Sequence, residues 1–201
     1  MPRKGRAILS CHDKTGVVEL AQLLAEYDVE IISTSGTLAL LQEAGVPAVS
    51  IADFTGIPEL MGGRVKSLHP KVHAGLLGIR DSKLHQEQMQ AHEFPWIDMV
   101  VVNLQPVKEL MERPGISPDE VVEQIDIGGA AMMRSAAKNF RYVTVVVNPQ
   151  WYARIRHELH AHDGATSYDT RFALAREAYE CVAAYDAAIA AYLKEHEPKP
   201  A

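Results

Sequence analysis

Four polar clusters in this sequence have residue types and spacings that suit binding an anion and moving a proton. They are residues 13–16 (DKTG), 33–37 (STSGT), 64–71 (RVKSLHPK) and 126–129 (DIGG). Hydroxyls, cationic side chains and exposed backbone N–H groups are the usual protein partners of phosphates and oxyanions. The four clusters therefore predict a site for an anionic ligand, provided that the fold brings them together.

The first two clusters each follow a predicted strand and precede a predicted helix. DKTG comes after an apolar strand at 6–11, and STSGT after a second strand at 29–33. Ligands of open α/β sheets bind at the carboxyl ends of the strands, where helix N-termini attract phosphate. Lys14 and the hydroxyl-rich turn thus suit a phosphate, although STSGT lacks the GK[ST] ending of a P-loop. The alternative for both clusters is an ordinary capped turn.

The third cluster lies in a Gly- and Pro-rich segment, residues 56–78, that shows little periodicity. Such a segment is typical of a ligand-binding loop, and a solvated basic face is the alternative. His69 and His73 have the spacing of a metal pair. No third ligand is evident nearby, and Pro70 argues against a regular helix across them. We therefore expect no metal.

The fourth cluster opens a helix predicted to run through Lys138. Its two glycines leave backbone N–H groups at the helix N-terminus, which suit an oxyanion. Asp126 and Lys138 are candidates for an acid/base pair. A helix cap and a surface lysine are the alternative.

Strands alternate with helices along the chain, which predicts an α/β fold with a parallel sheet and helices on both faces. The length of 201 residues and 47% hydrophobic content suit one domain, 1–201, with a flexible tail at 195–201. Strands are predicted at 6–11, 29–33, 46–51, 97–104 and 142–147. Helices are predicted at 15–27, 37–44, 83–93 and 168–194. Three further helices are predicted by one boundary each: one begins at residue 117, one ends at residue 138 and one begins at residue 149.

The net charge of −6 argues against nonspecific binding to nucleic acid or anionic membranes. No stretch approaches the ~20 apolar residues of a membrane span, and the apolar run after the basic start is too short for a signal peptide. Cys11 and Cys181 make neither a disulfide framework nor a metal knuckle. We therefore expect a cytoplasmic protein with no nucleic-acid or membrane partner.

Taken together, the motifs resemble a known family. LSCHDKTG, ISTSGT, TGIPELMGGRVKSLHPKVHAGLLG, IDMVVVNLQP and QIDIGGAAMMRSAAKN, with AYDAAIAAYL near the end, resemble the IMP (inosine monophosphate) cyclohydrolase domain of bifunctional purine-biosynthesis enzymes. The resemblance implies a Rossmann-type parallel sheet like that of methylglyoxal synthase. It also implies a ribonucleotide substrate: the domain closes the purine ring of 5-formamidoimidazole-4-carboxamide ribotide, giving IMP and water, with no cofactor.

The resemblance assigns roles to the matching residues in three groups. One group holds the 5′-phosphate, a second contacts the base with its formyl and carboxamide groups, and a third surrounds the reacting carbon. The first group is Lys14, Thr34, Gly36 and Thr37; the second is Arg64, Lys66, Ser67 and Asn103; the third is Asp126, the backbone N–H groups of Ile127 and Gly128, and Lys138.

Three residues depart from the family pattern. His12 replaces a Ser in the substrate site, Gln105 replaces a Tyr of the catalytic set, and Ala130 replaces a Pro. The first two departures favour an alternative, a paralogue that cyclises or dehydrates an analogous ribotide. A regulatory nucleotide-binding module, like the allosteric domain of carbamoyl-phosphate synthetase, is a second alternative, and methylglyoxal synthase itself fits RVKSLHP and IDIGG poorly. A homodimer and a separate formyltransferase partner are left open.

Overall fold

A parallel sheet forms the centre of the molecule in the computed structural model, which describes residues 5–196. Within these residues the strand order is β3-β2-β1-β4-β5, and every neighbouring pair is parallel. The predicted strands are confirmed, although each of the last four is shorter than predicted. They are β1 (Arg6–Cys11), β2 (Glu30–Ser33), β3 (Ala48–Ser50), β4 (Met99–Asn103) and β5 (Thr144–Val146).

Helices connect the strands, as a parallel sheet requires. Two short 3₁₀ turns, Met61–Gly63 and Pro149–Trp151, accompany them. The helices are α1 (Val17–Glu26), α2 (Ser35–Glu43), α3 (Ile51–Thr55), α4 (Pro70–Leu77), α5 (Lys83–Ala91), α6 (Val107–Met111), α7 (Pro118–Glu123), α8 (Ile127–Lys138), α9 (Tyr152–Ala161) and α10 (Tyr168–Glu195).

The prediction of an irregular segment over 56–78 is wrong in its second half, where α4 lies. Pro70 is in the first turn of that helix, where its missing N–H would have no intrahelical partner anyway. His69 is the N-cap residue, and its Nδ1 accepts a hydrogen bond from the N–H of Lys71 at 3.1 Å. The proline therefore starts the helix that it was expected to prevent.

The core is built on β1 and β4, the central strands. Ala7, Ile8 and Leu9 are fully buried, as are Val100 and Val102, so both faces of the sheet are covered. In one group, α1 and α2 pack on β1 and β2, and α9 packs on α1. In a second group, α8 and α10 pack on β4 and β5, and α4 packs on α8. The α/β fold with a parallel sheet and helices on both faces is confirmed.

The C-terminal end of the chain is one long helix. α10 has 28 residues and packs along α8 and β5. Glu195, placed in a flexible tail by the sequence prediction, still belongs to this helix, whereas residues 197–201 of that tail lie outside the described residues. No helix among residues 5–196 combines the length and apolar character needed to cross a membrane.

Candidate functional site

A cleft of about 750 Å³ opens at the carboxyl ends of β1 and β4. Its walls are the first turn of α2, the loop at residues 62–68, the end of α7 and the start of α8. Parallel strands end at the same edge of the sheet, which is why the clusters meet here. The predicted site residues that line the cleft are His12, Thr34, Gly36, Arg64, Lys66, Ser67, Asn103, Gln105, Asp126, Ile127 and Gly128.

The turns after β1 and β2 lie side by side, as the sequence predicts. The hydroxyls of Ser10 and Thr34 are hydrogen-bonded at 2.8 Å. The Lys14 ammonium nitrogen lies 4.0 Å from where a Cβ on Gly36 would stand. No side chain caps α2, and Ser35 and Gly36 are exposed in its first turn. A lysine beside an uncapped helix N-terminus is an arrangement that suits a phosphate.

Thr37 does not offer its hydroxyl to this corner. The side chain is buried, accepts a hydrogen bond from the Cys11 N–H at 3.0 Å and donates one to the Cys11 carbonyl at 3.1 Å. The hydroxyl proton is therefore donated within the protein, and the contact of Thr37 with the phosphate stays a prediction. Thr37 fastens the start of α2 to the end of β1.

Asn103 lines the cleft, but its side-chain amide is already bonded. Its Oδ1 accepts from the Asp13 N–H at 2.8 Å, and its Nδ2 donates to the Asp13 carbonyl at 2.9 Å. One Nδ2 hydrogen and one Oδ1 lone pair remain, so the expected contact to the substrate base stays a prediction. Asn103 ties β4 to the turn that carries Lys14, so its role is to position that turn.

A tight hairpin carries Lys66 into the cleft. Leu60 and Val65 form an antiparallel bridge, with Gly62 and Gly63 at φ of 65° and 95° in the reversal between them. Both values favour glycine. The Lys66 ammonium lies 3.0 Å from Oε2 of Glu59 and 3.5 Å from Oγ of Ser35.

Ser67 and Gly128 bring the hairpin against α8. Ser67 is 4% exposed, and a Cβ on Gly128 would stand 2.5 Å from the Ser67 hydroxyl oxygen. Only glycine permits this approach, so DIGG is required for packing as well as for free N–H groups. Within residues 5–196 the N–H groups of Ile127 and Gly128 have no acceptor, as expected for a helix N-terminus.

Asp126 is the N-cap of α8. Its Oδ1 accepts a hydrogen bond from the Gly129 N–H at 2.7 Å, and its own N–H donates to the phenol oxygen of Tyr185 at 2.8 Å. The predicted cap is confirmed. Tyr185 comes from α10, far along the chain, and no local sequence pattern indicates that it contacts the start of α8.

Lys138 lies away from the cleft. It is the exposed last residue of α8, whereas Asp126 precedes the first residue. Twelve helical residues separate the two ends by about 18 Å at 1.5 Å per residue. The predicted acid/base pair of Asp126 and Lys138 within this chain is therefore wrong.

Arg64 and Gln105 both line the cleft. The Arg64 guanidinium forms a salt bridge with Glu123 at the end of α7, which raises the pKa of Arg64 and lowers that of Glu123. Gln105 is half-buried beside Pro106 and follows β4 closely. Gln105, which stands where the family pattern has Tyr, therefore lines the cleft.

His73 has a partner other than a metal ion. Within residues 5–196 no group of three or more His, Cys, Asp or Glu side chains is placed to hold an ion. His73 instead pairs through Nδ1 with the Ser135 hydroxyl at 2.9 Å. Burial raises the pKa of Cys11, which lines the cleft, to about 11, so this thiol stays protonated near neutral pH.

Comparison with known families gives two matches. Residues 16–131 match the model of the MGS-like domain, and residues 136–201 match that of the AICARFT/IMPCHase bienzyme. The first match includes every cleft-lining residue after Gly16 except Met132.

Curated relatives are bifunctional purine biosynthesis proteins PurH. The protein of Magnetococcus marinus is 50% identical over all of this chain, and that of Anoxybacillus flavithermus is 51% identical over 94% of it. The chain spans 38% and 37% of these two relatives. A solved structure described as ForH is 34% identical, with a TM-score of 0.83 over 94% of this chain and 98% of that one. The chain therefore belongs to the MGS-like domain family, within the group that includes the PurH proteins.

Proposed function

We propose that this chain is an IMP cyclohydrolase, which closes the ring of 5-formamidoimidazole-4-carboxamide ribotide. One observation carries the proposal: a single cleft has the uncapped N-terminus of α2 on one wall and a cation, a carboxylate and free N–H groups on its other walls. The relatives' name, which refers to purine biosynthesis, supports the same substrate class.

The phosphate is proposed to bind at Lys14 and the first turn of α2. Ser35 and Gly36 contribute backbone N–H groups there, and the positive end of the helix dipole favours an anion. Holding the phosphate fixes the distance from this corner to the heterocycle. The formyl and carboxamide groups then lie towards the hairpin and α8.

Ring closure begins when the carboxamide nitrogen attacks the formyl carbon. A C–N bond forms, the formyl oxygen becomes an alkoxide, and the nitrogen releases one proton. The Lys66 ammonium and the N–H groups of Ile127 and Gly128 are the donors for the alkoxide. An amide is a weak nucleophile, so stabilising this charge is the main demand on the site.

Water loss completes the reaction. The protonated oxygen leaves as water, the formamide nitrogen gives up its proton, and a C=N bond forms. Asp126 is the proposed general base and acid. Only its Oδ1 is hydrogen-bonded within residues 5–196, which leaves Oδ2 for proton transfer. Oδ2 passes the proton of the carboxamide nitrogen to the alkoxide, and then the proton of the formamide nitrogen to the resulting hydroxyl, which leaves as water.

The test is turnover of the formamido ribotide by the purified chain, followed by the rise of IMP absorbance and identified by mass. We expect IMP well above the rate without protein, and no loss of rate after treatment with EDTA. A correctly folded chain that gives no IMP above the uncatalysed rate would refute the proposal.

A second candidate is ring closure or dehydration of a related ribotide, favoured by Gln105 at the cleft in place of the family's tyrosine. We also propose a cytoplasmic location and, because the curated relatives are bifunctional purine biosynthesis proteins, a formyltransferase as a functional partner. We propose that this chain forms a homodimer, which sedimentation would test.

A further inference from the structure

The carboxylate of Glu59 lies between Lys66 and the first turn of α2. Its Oε1 accepts a hydrogen bond from the Ser35 hydroxyl at 2.6 Å, and its Oε2 lies 3.0 Å from the Lys66 ammonium. The same ammonium is 3.5 Å from the Ser35 oxygen. Three side chains thus form one closed cluster at the corner where the substrate phosphate is proposed to bind.

The hairpin sets this geometry. Glu59 and Lys66 directly flank the bridged pair Leu60 and Val65, so their side chains meet across the hairpin. A Cβ on Gly63 would stand 2.9 Å from Lys66 Cε and 3.5 Å from Glu59 Oε2. Glycine at this position therefore leaves room for the ion pair.

The charge of Glu59 suits its surroundings. The hydrogen bond from Ser35, and then Lys66, hold the pKa of Glu59 below its ordinary value, so the carboxylate is ionised near neutral pH. α2 has no side-chain cap, and a negative charge at a helix N-terminus is stabilising. The free protein thus already has an anion at the place where a ligand's anion is expected.

We propose that Glu59 is an internal anion that the ligand's phosphate must displace. In the free chain the Glu59 carboxylate binds the Lys66 ammonium and the Ser35 hydroxyl. When the ligand binds, its phosphate repels this carboxylate, and Lys66 and Ser35 are released from it. This rests on the proposed function, because that places the phosphate at α2. The displacement frees Lys66 for the reacting carbonyl only when a phosphate is present, which makes Glu59 a specificity determinant against unphosphorylated nucleosides.

A role of Glu59 in positioning Lys66 predicts a change in ligand affinity of the opposite direction. If Glu59 only positions Lys66, removing its charge weakens ligand binding. If Glu59 competes with phosphate, removing its charge strengthens binding. Glu59→Gln suits the test, because the amide oxygen still accepts from Ser35 while the charge is lost.

The experiment measures the Kd of IMP and of inosine by titration calorimetry for the wild type, Glu59→Gln and Glu43→Gln. Glu43 is exposed at the other end of α2, so its variant controls for net charge. We expect Glu59→Gln to bind IMP about three- to tenfold more tightly, the scale of one surface charge interaction. Inosine binding by Glu59→Gln and IMP binding by Glu43→Gln should change less than about twofold on the same scale.

Weaker or unchanged IMP binding by Glu59→Gln, with a wild type that binds IMP, would overturn the inference and leave the proposed function standing. Failure of the folded wild type to bind IMP would overturn the proposed function, and the inference with it. An equal gain for inosine would also overturn the inference, because the effect would then not concern the phosphate.

Discussion

Lys66 is the residue on which the proposed chemistry depends most. It is half-buried and is the one lysine that lines the cleft within residues 5–196. Lys66→Ala should lower kcat by roughly 10²–10³-fold, the effect of removing an oxyanion donor. Lys83→Ala, on the exposed helix α5, is the matched control and should turn over normally. Equal rates for the two variants would exclude Lys66 from the reaction.

Gln105 tests whether the departure from the family has changed the chemistry. A glutamine donates and accepts hydrogen bonds but does not ionise near neutral pH, whereas a phenol can donate or release a proton. We expect Gln105→Tyr to raise the rate on the formamido ribotide by about tenfold or more, towards the contribution of a general acid/base group. The comparison is made at saturating substrate. No gain, with a wild type that is already fast, would show that the replacement is neutral.

Individual roles were the least predictable part of the site. The sequence places Thr37 and Asn103 correctly in the region, but their polar atoms are bonded to the backbone of Cys11 and Asp13. Such bonds join distant segments, and no local pattern reports them. Glu59 was missed for the same reason: its partner Ser35 lies 24 positions away.

At the scale of elements, the start of α8 both caps a helix and supplies the proposed acid/base group. Asparagine caps helices about as well as aspartate, whereas alanine costs about 1 kcal/mol of stability. Asp126→Asn should therefore melt close to the wild type and lose most activity. Asp126→Ala should lose activity and also melt several degrees lower. Calorimetric melting with parallel rate measurements separates the two effects, and an active Asp126→Asn would contradict the catalytic role.

The sequence predicted an element correctly where an apolar run or a capping box marked it, and failed where Gly and Pro residues are typical of a loop. The run at 97–104 predicted β4 because it is continuously apolar, and the capping box at Ser117 predicted α7. α4 was missed because Pro70 was interpreted as a helix breaker. The capping geometry of His69, on which the correct interpretation depends, is a property of the folded chain.

At the scale of the whole molecule, the imidazole of His73, half-buried between two packed helices, makes the free energy of unfolding depend on pH. It lies on α4, and its Nδ1 is hydrogen-bonded to the hydroxyl of Ser135 on α8. Its Nε2 is buried without a partner within residues 5–196. Burial lowers its pKa below the ordinary 6.5. The unfolded chain then binds the proton more readily, so His73 contributes stability above about pH 6.5 that is lost as the pH falls through the folded-state pKa.

His73→Gln should accordingly flatten the dependence of the unfolding free energy on pH between about 7 and 5. His157→Gln, on an exposed position of α9, should keep the slope of the wild type. Urea unfolding at several pH values gives both slopes. A variant at position 73 with the wild-type slope would mean that this imidazole does not set the acid response.

The overall architecture was predictable because a parallel sheet imposes it. Once β1, β2 and β4 are parallel, their carboxyl ends share one edge, and the motifs that follow them must meet there. The separation of Lys138 from Asp126 was predictable, because a helix that begins after Asp126 and runs through Lys138 places the two residues at opposite ends.

The structure of the chain with bound IMP tests the central claim most directly, that one cleft holds both ends of the ribotide. We expect the phosphate within hydrogen-bonding distance of the Lys14 ammonium and the N–H groups of Ser35 and Gly36, with the purine ring between Lys66 and the start of α8. A phosphate bound away from both turns, or a purine ring outside the wall formed by residues 126–129, would contradict the account.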